Sequence, residues 1–107
     1  MDQENAIREV VERIRDGYAP ERIVLFGSHV WGEPATHSDL DVLVIKETPQ
    51  REAERIRDVS RLLQPRPLPL DILVKTPDEV RQRLDIGDPF MRRIIEHGRV
   101  AYDRAAV

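Results

Sequence analysis

The sequence predicts an α/β (α+β-like) domain: a small mixed sheet of three to four strands with helices against it. Three observations carry that expectation. Apolar residues recur at helical spacing in residues 3–16, short apolar runs rich in Val, Ile and Leu follow at residues 22–26, 40–46 and 70–75, and Gly- or Pro-bearing breaks separate each from the next. At 107 residues the chain reads as one domain, 1–107. That length supports a real core but leaves no room for a separate substrate domain.

The elements follow in order. Residues 3 to 16 place Ala6, Ile7, Val10, Val11 and Ile14 on one stripe, with Glu4–Arg8 and Glu9–Arg13 spaced i,i+4 on the polar side. Gly17 is expected to stop this helix and Pro20 to block its resumption. Arg22 to Phe26 reads as a short buried strand that delivers Gly27 and Ser28 to its end. Gly32 and Pro34 mark a loop before a second strand, Leu40 to Lys46. Thr48 with Pro49 reads as an N-cap followed by a first-turn proline. The helix so opened would turn Ala53, Ile56, Val59, Leu62 and Leu63 inward. Pro65, Pro67 and Pro69 form a stiff extended link to a third strand, Leu70 to Lys75. Thr76-Pro77-Asp78-Glu79 is a capping box. Asp88-Pro89 opens the last helix, which ends at His97-Gly98, and Val100 to Tyr102 reads as a final edge strand. Helices are expected on both faces of the sheet.

Bulk composition narrows the function. A formal net charge of −3 gives no general attraction for nucleic acid. The 35% charged and 40% hydrophobic content suits a soluble globule. With no cysteine, disulfides and thiolate metal sites are excluded. No long apolar run or signal-type start is present, so no membrane association is expected and the default location is the cytoplasm.

The chemistry concentrates in residues 26–45. Gly27-Ser28 ends one apolar run; ten residues later Asp39 and Asp41 flank Leu40 at the head of another. On a strand, residues two apart share a face, and at about 3.3 Å rise their Cα atoms lie roughly 6–7 Å apart. Carboxylates so placed can converge on a pair of divalent ions about 3.5–4 Å apart, an arrangement used for in-line displacement at phosphorus. A Gly-Ser turn lets backbone amides approach phosphate oxygens. An Asp-x-Asp pair also occurs in capping turns and on solvated strand ends. Here, however, two like charges open an otherwise buried strand, which is costly without a cation. A third acid, Asp71, stands inside the apolar run Leu-Asp-Ile-Leu-Val; its bland reading is an ion pair with an arginine.

These residues, in this order, resemble the signature of the polymerase-beta-like nucleotidyltransferase superfamily: a strand, Gly-Ser, about ten residues, Asp-x-Asp on the next strand, and an acid on a later one. The resemblance runs nearly end to end, including Pro-Glu-Arg-Ile-Val-Leu-Phe before Gly27 and Ile-Ile-Glu-His-Gly-Arg-Val-Ala-Tyr around residues 94–102, and is closest to the minimal nucleotidyltransferases. It implies a polymerase-beta-type core in which Asp39, Asp41 and Asp71 hold two Mg²⁺ ions. Gly27 and Ser28 would bind the β- and γ-phosphates of ATP, and Asp71 would help deprotonate an acceptor hydroxyl. Two positions depart from the pattern. His29 stands where many relatives carry arginine, and Trp31 where a basic residue is frequent. Trp31 reads as a packing anchor rather than a base-stacking residue. His29 and His37 read as loop residues rather than zinc ligands, and Tyr18 and Tyr102 as half-buried packing residues.

By the same resemblance, the acceptor belongs to a separate chain. The minimal enzymes pair with a small helical HEPN-type toxin from a neighbouring gene and act as antitoxins by moving AMP onto its tyrosine hydroxyl. Two alternatives stay open: an antitoxin that neutralises by binding alone, and the catalytic subunit of a two-chain adenylyltransferase for a small molecule of the aminoglycoside kind. Homo- or hetero-oligomers are compatible with either.

Overall fold

The computed structural model describes residues 3–32 and 39–106. The chain opens with helix α1 (Gln3–Tyr18), then strand β1 (Arg22–Phe26), a single helical turn α2 (Ser28–Trp31), strand β2 (Leu40–Ile45), helix α3 (Glu52–Leu62) and strand β3 (Leu70–Lys75). Helices α4 (Pro77–Asp85) and α5 (Pro89–His97), strand β4 (Arg99–Asp103) and a 3-10 turn (Arg104–Ala106) complete it. The strands form a mixed sheet in the order β3-β2-β1-β4. β1 runs antiparallel to both β2 and β4, and β2 runs parallel to β3.

Side-chain alternation divides the apolar residues between two faces. On one, α1 (Ile7, Val10, Ile14, Tyr18) and α3 (Val59) cover Ile23, Leu25, Leu40, Val42, Val44 and Val74. On the other, α4 (Val80) and α5 (Met91, Ile94) cover Val24, Phe26, Leu43 and Ile45. Both faces are therefore buried, which is why β1 and β2 read as continuous apolar runs rather than alternating ones. Among the described residues no helix is long and apolar enough to cross a membrane.

Several boundaries differ from expectation. Gly17 does not stop α1, which continues to Tyr18 and ends at Ala19, a non-glycine residue at φ 53°. Gly17 serves close packing instead: a Cβ there would meet Leu62 Cδ2 at 2.6 Å. Thr48 does not cap α3. Its hydroxyl accepts from the Gln50 amide in a local turn, and the helix starts four residues later, after Arg51. That shift turns Ala53 out to solvent and buries Arg55, only 6% exposed. Arg55 Nη1 donates to Glu79 Oε1 (2.7 Å) and to the Val74 carbonyl (3.3 Å), and Nε donates to the Gln50 carbonyl (2.7 Å). One guanidinium thus joins α3, β3 and α4. Tyr18 is fully buried rather than half-buried. The capping box at Thr76 and the Asp88 cap form as expected, as does the edge strand, here Arg99–Asp103. Pro34 and His37 lie outside the described residues.

Candidate active site

β1 ends at Phe26, and Gly27 turns the chain at φ 86°, ψ −164°, a conformation that glycine adopts without steric cost. The Gly27 carbonyl then accepts from the Val30 amide (3.0 Å) and the Trp31 amide (2.9 Å), closing α2. The first amides of a helical turn have no intrahelical acceptor and carry the positive end of the peptide dipoles. Ser28 supplies the first of them, with its hydroxyl beside it. The sequence reading missed α2; a four-residue turn has too little periodicity to register. It corrects the position of His29, which stands in this turn rather than in a loop and hydrogen-bonds through Nδ1 to Gln3 Nε2.

The acids arrive from the neighbouring strands. Antiparallel pairing sets Phe26 opposite Asp41, and parallel pairing sets Asp41 opposite Asp71, so all three stand on one rung across β1, β2 and β3. Phe26 and Leu43 belong to one buried cluster and the partly buried Leu73 packs against it, so by alternation Asp41 and Asp71 share the face covered by α4 and α5. Asp39 immediately precedes β2. The Leu40 amide donates to the Pro69 carbonyl (3.0 Å), which holds residues 39–41 beside 69–71.

The closest approach is between the turn and the middle acid. A Cβ built on Gly27 would lie 2.0 Å from Asp41 Oδ2. Burial, reinforced by the charges of Asp71 and Asp39 and opposed by His29, pushes the Asp41 carboxyl above the ordinary aspartate range. Asp71 corrects one premise of the sequence reading. It is not buried in an apolar strand but exposed on edge strand β3, so it needs no compensating partner. Among the described residues no basic side chain is within ion-pair distance of it.

The acids border a cavity of about 380 Å³ whose walls are Phe26, Gly27, Trp31, Ile72, Leu73 and Phe90. Trp31 is held in place at this wall: its Nε1–H donates to the His97 carbonyl (3.0 Å), and the Arg93 guanidinium lies 3.8 Å over its ring. Phe90, 52% exposed, was not singled out from the sequence, because nothing in a residue following Asp-Pro reveals that it meets Phe26 edge-on at 5.8 Å. A larger cavity, about 540 Å³, lies at the opposite end of β2 between Ile45 and α4, away from the acids.

Among the described residues no three acidic or histidine side chains close into a ready-made metal cage. The donor set nevertheless fits a hard divalent ion. Magnesium is commonly held by one or two carboxylates, with substrate phosphates and water completing its shell, so an open row of acids suffices. The raised Asp41 carboxyl is the kind of group that a cation would compensate.

The profile of the nucleotidyltransferase domain family matches residues 7–102. A candidate protein adenylyltransferase of Methanocaldococcus jannaschii is 27% identical over 105 residues, covering 95% of this chain and all of that protein. Among solved structures, a candidate nucleotidyltransferase from Sulfolobus solfataricus superposes with a TM-score of 0.62 at 20% identity, over 95% of this chain and 86% of that one. A toxin–antitoxin complex with AMP-PNP superposes with a TM-score of 0.63 at 19% identity, over 98% of this chain and 77% of that one. The family match takes in β1, β2 and β3 whole, with the acid rung, and most of β4, and on that ground the chain belongs to the nucleotidyltransferase domain family and is a nucleotidyltransferase.

Proposed function

We propose that the chain moves AMP from ATP to a hydroxyl, most fittingly a tyrosine, of a helical HEPN-type toxin partner and so acts as its antitoxin. The observation that carries this reading is the order of groups along the sheet end: Gly27-Ser28 after β1, Asp41 on β2, Asp71 on β3. In-line displacement needs the leaving group and the attacking oxygen on opposite sides of the phosphorus. A triphosphate whose β- and γ-phosphates rest on the amides and hydroxyl at Gly27-Ser28 would bring its α-phosphorus to Asp41. An acceptor on the far flank would then meet Asp71.

In the proposed reaction Asp71 takes the acceptor hydroxyl's proton, and that oxygen forms a bond to the α-phosphorus. The bond from the α-phosphorus to the bridging oxygen breaks, and pyrophosphate leaves toward Gly27-Ser28. Asp39, Asp41 and Asp71 would hold two Mg²⁺ ions, which supply charge neutralisation for the phosphates and the attacking oxygen. The residues' own contribution is to hold the reacting groups in line, with Asp41 fixed against Gly27.

Two likenesses support the partner and the nucleotide: the Methanocaldococcus relative bears the name of a candidate protein adenylyltransferase, and one similar fold comes from a toxin–antitoxin complex with AMP-PNP. The resemblance implies a ribonuclease toxin, and a bulky anion added next to such a site would repel RNA by charge and volume. The test is pyrophosphate release by this chain with ATP, Mg²⁺ and the helical protein encoded beside it. Release that requires the partner supports the reading. Release with an aminoglycoside in its place would favour a two-chain small-molecule enzyme, and a stable complex without release would favour neutralisation by binding.

A further inference from the structure

The 380 Å³ cavity beside the acids has aromatic walls that the phosphate chemistry leaves unused. We infer that it is a nucleobase slot with low base selectivity, in which Trp31 and Phe90 hold the ring of the incoming nucleotide by stacking. The inference rests on the proposed phosphate placement, and its geometry follows from it. If pyrophosphate departs toward Gly27 and the acceptor approaches from Asp71, both directions along the rung are taken. The nucleoside must then leave the α-phosphorus across the rung. Asp41 shares its face with Leu43 and the α5-covered cluster, and the cavity opens on that face.

The walls suit a flat ring. Trp31 is fixed before any ligand arrives, its indole N–H held by the His97 carbonyl and one face covered by Arg93. Phe26 stands 6.2 Å from Trp31 and 5.8 Å from Phe90, so the three rings form one continuous aromatic surface. Phe90 is 52% exposed although it borders this surface, an apolar group left in water at the mouth of a cavity. A volume of about 380 Å³ falls within the range of small-ligand sites.

The same walls argue for weak discrimination between bases. Telling adenine from guanine requires donors and acceptors on the base edge. Apart from the two acids at the rung, the lining side chains are Phe26, Trp31, Ile72, Leu73 and Phe90, and the single N–H among them is already spent on His97. Stacking alone is tolerant, because every base presents a π-face.

Trp31 is the chain's one tryptophan, so its fluorescence reports on the slot without any transfer step. The experiment titrates ATP, GTP and CTP, each with Mg²⁺, and inorganic tripolyphosphate as the ring-free control. It follows Trp31 emission in the wild type and in Phe90→Ala, with calorimetry in parallel. The expected result is quenching by all three nucleotides and none by tripolyphosphate, with ATP and GTP dissociation constants within about tenfold of each other. Phe90→Ala should weaken each nucleotide roughly five- to a hundredfold while leaving tripolyphosphate binding unchanged. Three outcomes would overturn the slot. Nucleotide and tripolyphosphate could bind equally by calorimetry with emission unmoved, which leaves the phosphate grip standing and removes only the slot. Selectivity for ATP over GTP could exceed a hundredfold. Emission could respond to the acceptor protein but not to nucleotide, which would assign the cavity to the acceptor. Absence of binding by any of these ligands would remove the phosphate placement as well.

Discussion

Gly27 and Asp41 contend for one position: Asp41 Oδ2 lies where a Cβ on Gly27 would have to go, 2.0 Å from it. The glycine therefore serves two ends, a positive-φ turn and an open seat for the carboxylate at the centre of the rung. Gly27→Ala should move that carboxylate and cut transfer at least a hundredfold, since small displacements of reacting groups cost that much. The backbone strain adds a stability cost of about 1–3 kcal/mol. Paired kinetics and thermal melts would check this, with circular dichroism confirming that the fold persists.

Asp41→Asn should separate stability from activity. A carboxyl whose folded pKa stands above its unfolded one stabilises the fold fully below the unfolded value, and that contribution is lost as pH rises through the folded one. Burial, Asp71 and Asp39 raise Asp41 in this way. In chelator at pH 7 the asparagine variant should accordingly melt higher than the wild type, and near pH 3.5 the difference should vanish. Added Mg²⁺ should narrow the gap at pH 7 by stabilising only the wild type. The same variant should lose transfer.

Asp71→Asn should spare folding, because the side chain is exposed, and should cost turnover far more than nucleotide affinity, because it stands on the acceptor flank. Loss of a proton acceptor should lower turnover by about 10²–10⁴-fold. Steady-state rates alongside nucleotide affinity would show the split, and equal losses in both would place Asp71 with the nucleotide instead.

Arg55→Ala should damage the fold rather than the site. Arg55 is 6% exposed, and its guanidinium joins Glu79 with the carbonyls of Val74 and Gln50. Breaking a fully buried pair costs about 3–5 kcal/mol. Glu79 is 42% exposed in its side chain and can rehydrate, so about 2–3 kcal/mol is expected from chemical denaturation.

Strand content and the arrival of Asp41 at the head of β2 were legible because they rest on a short-range rule, continuous apolar runs for strands buried on both faces; Asp39 stands just before that strand. The capping box at Thr76 and the Asp88 cap were legible for the same reason. What sequence could not supply was register. Nothing local says that Asp41 faces Asp71, nor that Asp71 is on an exposed edge, because both follow from strand order. The start of α3 was misread because Thr48-Pro49 carries good cap chemistry but closes only a turn, and the frame of the helix decides whether Ala53 or Arg55 turns inward. Phe90 depends on how α5 lies against Phe26, a tertiary contact with no signal of its own.

Transfer of AMP to a protein hydroxyl by the Gly27, Asp41 and Asp71 row is tested most directly by intact mass spectrometry of the partner. After incubation with this chain, ATP and Mg²⁺, the helical protein encoded beside it should gain whole AMP units. That gain should be absent when Asp39 and Asp41 are both replaced by asparagine. An unchanged partner mass despite a stable complex with the wild type would contradict the account.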